Sequence, residues 1–327
     1  LLNWNVSDRK FMNHLILIIM FIGIAESLYG ILEFFSGHRH ILNLDMKALI
    51  SSVTGTFINR NYFAGYLLMI IPLSVGYFFS REAFQRSRFM GWQHRVSSLD
   101  GKALLIAFGT ILMILGLLFS ASRMGIVSLL VSFSLITFLF RESKKRERFT
   151  KTIVLIFSLA LLWAVWIGLD AVISRFFSIS ESFEERWMIW KNTFQIFKDF
   201  LLIGSGLGTF VHVFPMYRSS HIRGFYSHAE NDFLQLTSEV GLIGTGLLLI
   251  LFLLLFFKVI SGIRSMSRRD SQRYIGIGGL VGILALMFRS LVERNIQVPA
   301  NAFLFTFLWA LVLNVSSNLS KKGLFSH

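Results

Sequence analysis

The stretch Gly241–Phe257, GLIGTGLLLILFLLLFF, contains no charged residue. At 1.5 Å of rise per residue it extends about 25 Å as a helix, close to the ~30 Å hydrocarbon core of a bilayer. Working outward from it, comparable apolar runs fall at roughly 12–35, 61–80, 103–120, 124–140, 152–169, 275–290 and 297–315. With 54% hydrophobic residues and 35 Phe, and a mean hydropathy of +0.64, the composition lies beyond that of a soluble domain. The reading is an all-α polytopic bundle of eight spans. Pro72, Gly76, Gly278, Gly279 and Gly282 lie inside spans, where membrane helices tolerate them. The chain begins at Leu1 without a cleavable signal pattern, and further helices are expected before it.

The net charge of +14 raises the question of nucleic acid, and its distribution answers it. With the N-terminus cytoplasmic and the spans alternating, the inner segments hold Arg9 and Lys10, five basic residues in 81–102, six in 141–151, five in 258–274, and Lys321 and Lys322. These are 20 of the 32 basic residues, spread over short separate loops. That is the positive-inside pattern rather than one nucleic-acid face. The large segment 170–240 then lies outside, with six basic and eight acidic residues. It divides transmembrane helices 1–5 in 1–169 from helices 6–8 and a cytoplasmic tail in 241–327. The chain has no Cys, so neither a disulfide framework nor a thiol nucleophile is available.

Within the external segment, Phe183, Trp187, Trp190, Phe194 and Phe197 repeat at spacings of 4, 3, 4 and 3. This predicts one apolar stripe on an amphipathic helix lying at the membrane interface. The following GSGLGTF, 204–210, lacks both the strand and the Lys-Ser/Thr of a nucleotide loop. It reads as a turn in which backbone approaches backbone.

Just before the quoted span stands YSHAENDFLQLTSEV, 226–240. Asn231, Gln235 and Glu239 fall at i, i+4 and i+8, one polar stripe on a helix. His228 and Glu230 are the side chains there best suited to take a hydroxyl proton near neutral pH. The alternative is that the carboxylates only favour a helix N-terminus. Arg123 sits in a short outer turn against the charge rule, as a headgroup anchor or an anion ligand. Arg186 opens the amphipathic helix, as a salt-bridge partner or a second anion ligand. Arg60, Arg289 and Arg294 lie on the same side. Guanidiniums converging there match a diphosphate, because the planar fork binds phosphate oxygens in pairs. His212, His221 and His228, spaced 9 and 7 apart, lack the i, i+4 register of a helical zinc site. Glu26 and Glu33 share a face of the first span, as a cation path in a transporter or as hydrogen-bonding groups between helices.

Four stretches together resemble the O-antigen ligase and O-antigen polymerase family of bacterial membrane glycosyltransferases. They are GTFINRNYFAGYLLMIIPL (55–73), SASRMGIV (120–127), ERWMIWKNTFQIFKDFLLIGSGLGTF (185–210) and SHAENDFLQLTSEVGLIGTGLLL (227–249). The resemblance implies transfer of a glycan from a polyprenyl (undecaprenyl) diphosphate to an acceptor hydroxyl on a glycan, lipid or protein. It places that reaction at the outer face of the bacterial inner membrane, inverting, without cofactor, nucleotide sugar or catalytic metal. It assigns the diphosphate to Arg123 and Arg186, with Arg60 and Arg289 as further contacts, and the base to His228 or Glu230. Where the family often has His directly before the Asn of its N-D-x-L-Q element, this chain has Glu230. Ligase and polymerase both fit the motifs, and a multi-pass transporter or flippase is the alternative from another class.

Overall fold

The computed structural model describes residues 9–38, 40–42, 44–45, 52–81, 101–139, a few helical positions between 150 and 162, 180–219, 224–267 and 270–323. Nine helices account for nearly all of it: α1 Arg9–Phe35, α2 Arg60–Ser80, α3 Gly101–Phe119, α4 Arg123–Leu139, α5 Ser180–Asp199, α6 Phe210–Tyr217, α7 Asp232–Ser265, α8 Ser271–Ser290 and α9 Pro299–Gly323. The sheet is confined to two short antiparallel strands, β1 His40–Ile41 and β2 Leu44–Asp45.

Among the described residues, six helices (α1, α2, α3, α7, α8 and α9) are long and apolar enough to cross a membrane. This corrects the expected eight. The expected span at 124–140 is the 17-residue α4, an apolar helix at the lower limit of crossing length and not one of the six. The expected span at 152–169 falls largely outside the described residues.

Helix α2 is the centre of the bundle and is buried from Phe63 to Ser80 apart from Tyr66. Asn59 starts it, its side chain accepting the Asn61 amide at 2.8 Å. Pro72 lies inside without ending it. Helix α8 packs along α2 on glycines: a β-carbon at Gly278 would stand 2.5 Å from the Pro72 carbonyl oxygen, and one at Gly282 2.6 Å from that of Met69. Without a hydrophobic drive between helices in lipid, such backbone contact is what holds them together. The second half of α7 lies at the periphery, with Leu242, Leu247, Leu251, Leu254 and Phe257 exposed. Exposed leucines on a helix this apolar face lipid.

Contacts between chain ends fix the layout. The Val53 amide donates to the Phe119 carbonyl at 3.2 Å. The Asn295 amide donates to Asp232 at 2.7 Å. The connections 36–59, 120–122 and 291–298, together with the cap formed by α5, α6 and the start of α7, therefore gather at one end. The end of α2 at Ser80, the start of α3 at Gly101, the end of α7 at Ser265 and the start of α8 at Ser271 lie at the other end by helix direction.

Glu26 and Glu33 are used structurally. Glu26 accepts the Thr56 amide at 2.8 Å and its hydroxyl at 2.7 Å, and Glu33 accepts the His40 amide at 3.1 Å. Both carboxylates fasten residues of the connection after α1 back to that helix, rather than joining neighbouring helices.

Candidate functional site

The cap is fastened to α7 by glycine. Gly204 has φ +74, and a β-carbon there would lie 2.2 Å from the Glu239 carbonyl oxygen. The Ser205 amide donates to the Ser238 carbonyl at 3.0 Å and the Gly206 amide to that of Glu239 at 2.9 Å. At Gly241, with φ 65, α7 breaks. The Leu242 and Ile243 amides leave the helix ladder there and donate to Leu201 and Leu202 at 2.8 and 3.1 Å. The Glu239 carboxylate accepts the amides of Gly208 at 2.9 Å and Phe210 at 3.3 Å, at the start of α6. So GSGLGTF is a backbone-on-backbone turn, and its anion-binding amides already hold an internal carboxylate.

The polar row on α7 faces inward. Asn231 caps the helix by accepting the Leu234 amide at 3.0 Å, and its amide group donates to the Leu291 carbonyl at 2.6 Å. Asp232, Gln235 and Glu239 are buried. Gln235 accepts the Ala229 amide at 3.0 Å and donates to Glu239 at 3.1 Å. Its amide nitrogen lies 3.5 Å from His228 Nδ1. Burial, followed by the charge of Arg294, pushes the His228 pKa below its ordinary value, which favours the neutral ring, the form able to accept a proton. Glu230 takes a left-handed turn with φ 52. Burial pushes its carboxyl above the usual range, while Arg186 pulls the other way. The Tyr226 hydroxyl donates to Glu185 of α5, and burial with that bond pushes its pKa up to about 12.

The expected amphipathic helix is present as α5, with a second, inward face. Trp187 and Phe194 of the aromatic stripe are exposed, as an interfacial helix requires. Ile189, Thr193 and Ile196 are buried, packing on Phe210, Phe214 and Ala229. Arg186, half-buried, lies on that inner face at i−3 from Ile189. The face turns Arg186 into the site, where Nη1 donates to the Val292 carbonyl at 3.2 Å and stands 3.5 Å from Glu293 Oε1.

A chain of polar contacts continues from there. Arg289, fully buried, donates to Glu293 Oε2 at 2.5 Å and to the Ser122 hydroxyl at 2.8 Å. Ser122 in turn donates to Asn61 Oδ1 at 2.9 Å. Helix α2, the α3–α4 turn, α8 and α5 are thus joined through side chains. Arg186 and Arg289 meet on Glu293. Arg123 and Arg60 are the chain neighbours of Ser122 and Asn61, each half-buried at the first turn of α4 or α2. Arg294 lies over the Tyr62 ring, 5.7 Å from its centroid. A β-carbon at Gly125 would stand 2.8 Å from Arg289 Nη1, which explains the glycine of SASRMG. Of the three loop histidines, His221 lies outside the described residues. Among the described residues, no group of three or more His, Asp and Glu is placed to hold a metal ion.

The hub of this arrangement is the turn 291–298, of which the sequence reading singled out only Arg294. Asp232 Oδ2 accepts both the Asn295 and Ile296 amides, at 2.7 and 2.8 Å. Glu293, Ser122 and Asn61 were missed likewise. The one available signal was Arg289–Glu293 at i, i+4, straddling the end of an apolar helix.

Fold and site together define a polytopic helical membrane protein with a polar, arginine-lined site beneath a helical cap. Residues 108–249 match the family model described as O-antigen ligase. That match supports the O-antigen ligase family for this chain, a family of membrane glycosyltransferases of ligase or polymerase type. No curated protein matches the chain. The matched segment contains Arg123, Arg186, His228 and Glu230, whereas Asn61, Arg289, Glu293 and Arg294 reach the site from outside it.

Proposed function

We propose that this protein transfers a glycan from a polyprenyl diphosphate to an acceptor hydroxyl at the outer face of the bacterial inner membrane, as an O-antigen ligase. The observation that carries this is the convergence of Arg186 with the His228–Glu230 segment at one end of the bundle. The charge pattern of the sequence supports the sidedness, since basic residues concentrate in 81–102, 141–151 and 258–274 while 170–240 carries six basic and eight acidic residues.

In this reading His228 accepts the acceptor hydroxyl proton while the oxygen attacks the anomeric carbon and inverts it. The bond from that carbon to the diphosphate oxygen breaks, and its electron pair leaves with the diphosphate. Arg186 and Arg123 stabilise the charge that develops there, which preorganised donors do at no reorganisation cost. Arg60 adds a cation on the same side. Arg289 acts from behind, holding Glu293 and through it the position of Arg186. Glu230 is the alternative base, and burial makes it a stronger one than an exposed carboxylate.

The test is transfer by the purified full chain, given a polyprenyl-diphosphate glycan and an acceptor. Arg186→Ala should lose at least about a hundredfold, the scale of one transition-state donor, with the protein still inserted and monodisperse. His228→Ala should fall similarly, and Glu230→Gln by less. Full activity of Arg186→Ala would overturn the reading, and loss in Glu230→Gln with activity in His228→Ala would move the base to Glu230. In cells, deletion should leave unattached full-length chains. Retention of a single attached repeat unit would mark a polymerase instead.

A further inference from the structure

At the end of the bundle opposite the site, a cavity of about 470 Å³ opens between the C-termini of α4 and α7 and the N-terminus of α8. Its lining includes Phe138, Ile260, Ile263 and Ile277, together with Arg264 and Arg273. The two helices present the same pattern in mirror order. Arg264 lies in the last turn of α7 with Ile260 one turn deeper, and Arg273 in the first turn of α8 with Ile277 one turn deeper. One helical turn is about 6 Å, so the guanidiniums stand at the rim and the apolar side chains below them. Phe138, 63% exposed on the apolar helix α4, adds an aromatic wall.

We infer that this cavity binds an anionic phospholipid of the adjoining leaflet, its phosphate at Arg264 and Arg273 and an acyl chain along Ile260, Ile263 and Ile277. Charge complementarity selects this occupant. A zwitterionic headgroup gains less from two cations, and a soluble anion would leave the apolar floor unused. Basic pockets between membrane helices on a positively charged face recognise anionic headgroups in this way. The inference does not depend on the glycan reaction, since no cavity residue belongs to the site at the other end.

The experiment is native mass spectrometry of the full chain in detergent, with equimolar dioleoylphosphatidylglycerol and dioleoylphosphatidylcholine. Phosphatidylglycerol should be retained about tenfold to thirtyfold over phosphatidylcholine, the advantage two surface cations confer. Arg264→Gln/Arg273→Gln should bring that ratio to within about twofold of unity. Ile260→Trp, which fills the floor and leaves every charge, should lower retention of both lipids. Lys258→Gln, an exposed basic residue at the same end that does not line the cavity, should keep the preference. Equal retention by the unaltered chain would overturn the inference, as would an equal loss in Lys258→Gln, which would mean general surface charge.

Discussion

Removal of Glu293 is the perturbation for which the structure sets the largest consequence. Its carboxylate serves two arginines of unequal burial. The Arg186 side chain is 30% exposed, so water replaces much of what it loses and its share is within about 1 kcal/mol. The Arg289 side chain is 0% exposed, with its Nε and Nη1 already lacking partners among the described residues. In Glu293→Ala that guanidinium keeps only the Ser122 hydroxyl at 2.8 Å. Breaking a buried pair by removing one partner costs about 3–5 kcal/mol. At about 2–4 °C per kcal/mol for a chain of this order of size, the melting temperature should fall by on the order of 10 °C. The assay is thermal unfolding of detergent-purified protein, read by tryptophan fluorescence. The double variant Arg289→Met/Glu293→Leu removes both charges and should recover most of the loss, as buried pairs replaced by apolar residues do. A single variant as stable as the parent would refute the reasoning, and so would a double variant as unstable as the single one.

The remaining expectations concern protonation and backbone. Because burial depresses the His228 pKa, its basic form is present above that pKa and lost as pH falls through it. The acid limb of kcat/KM should therefore have its midpoint below 6.5, be flat from pH 7 to 8, and vanish in His228→Ala. A midpoint above 6.5, or an unchanged limb in the variant, would remove His228 from the role. Gly204→Ala should loosen the cap, since its β-carbon would overlap the Glu239 carbonyl at a φ of +74. Limited proteolysis would then cut in 201–208 in the variant and not in the parent. Glu26→Gln should lower stability by about 1.5–3 kcal/mol, the worth of hydrogen bonds to a charged group, read as a lower melting temperature.

The helical membrane fold was legible because its signal is one-dimensional. A run such as Gly241–Phe257 states its length and its solvent without reference to any partner. The count was less legible, because α4 is too short to qualify by length alone. The stripe on α5 illustrates the limit. Its aromatic face was read from spacing, but Ile189, Thr193 and Ile196 form a second face whose partners, Phe210 and Phe214, lie beyond the next turn. Periodicity reports that a face exists and cannot say which of two faces meets protein. Arg123, Arg186, His228 and Glu230 stood out as charges beside apolar runs. Ser122 and Asn61 did not, because their importance comes from contacts made across 61 to 167 residues of chain, and Glu293 showed only its i, i+4 relation to Arg289 and not its contact with Arg186.

That separation bears on how the site is divided. The segment matching the family model, 108–249, ends part-way along α7 and holds the groups assigned here to the reacting end. The groups that fix their positions come from α2 and from 289–297, outside the match. Asp232 is the joint between the two sets: its carboxylate is held by the Asn295 and Ile296 amides, one residue away from the cap residue Asn231, which itself donates to Leu291. The turn after α8 is therefore bonded to the start of α7, and Gln235 ties the His228–Glu230 segment to that same start through the Ala229 amide. The residues proposed to react sit on a left-handed turn at Glu230 and before the start of a helix broken at Gly241, backbone that needs outside support to keep one geometry. The 291–298 turn is what supplies it, so the site's precision rests on a part of the chain that carries none of the recognised motifs.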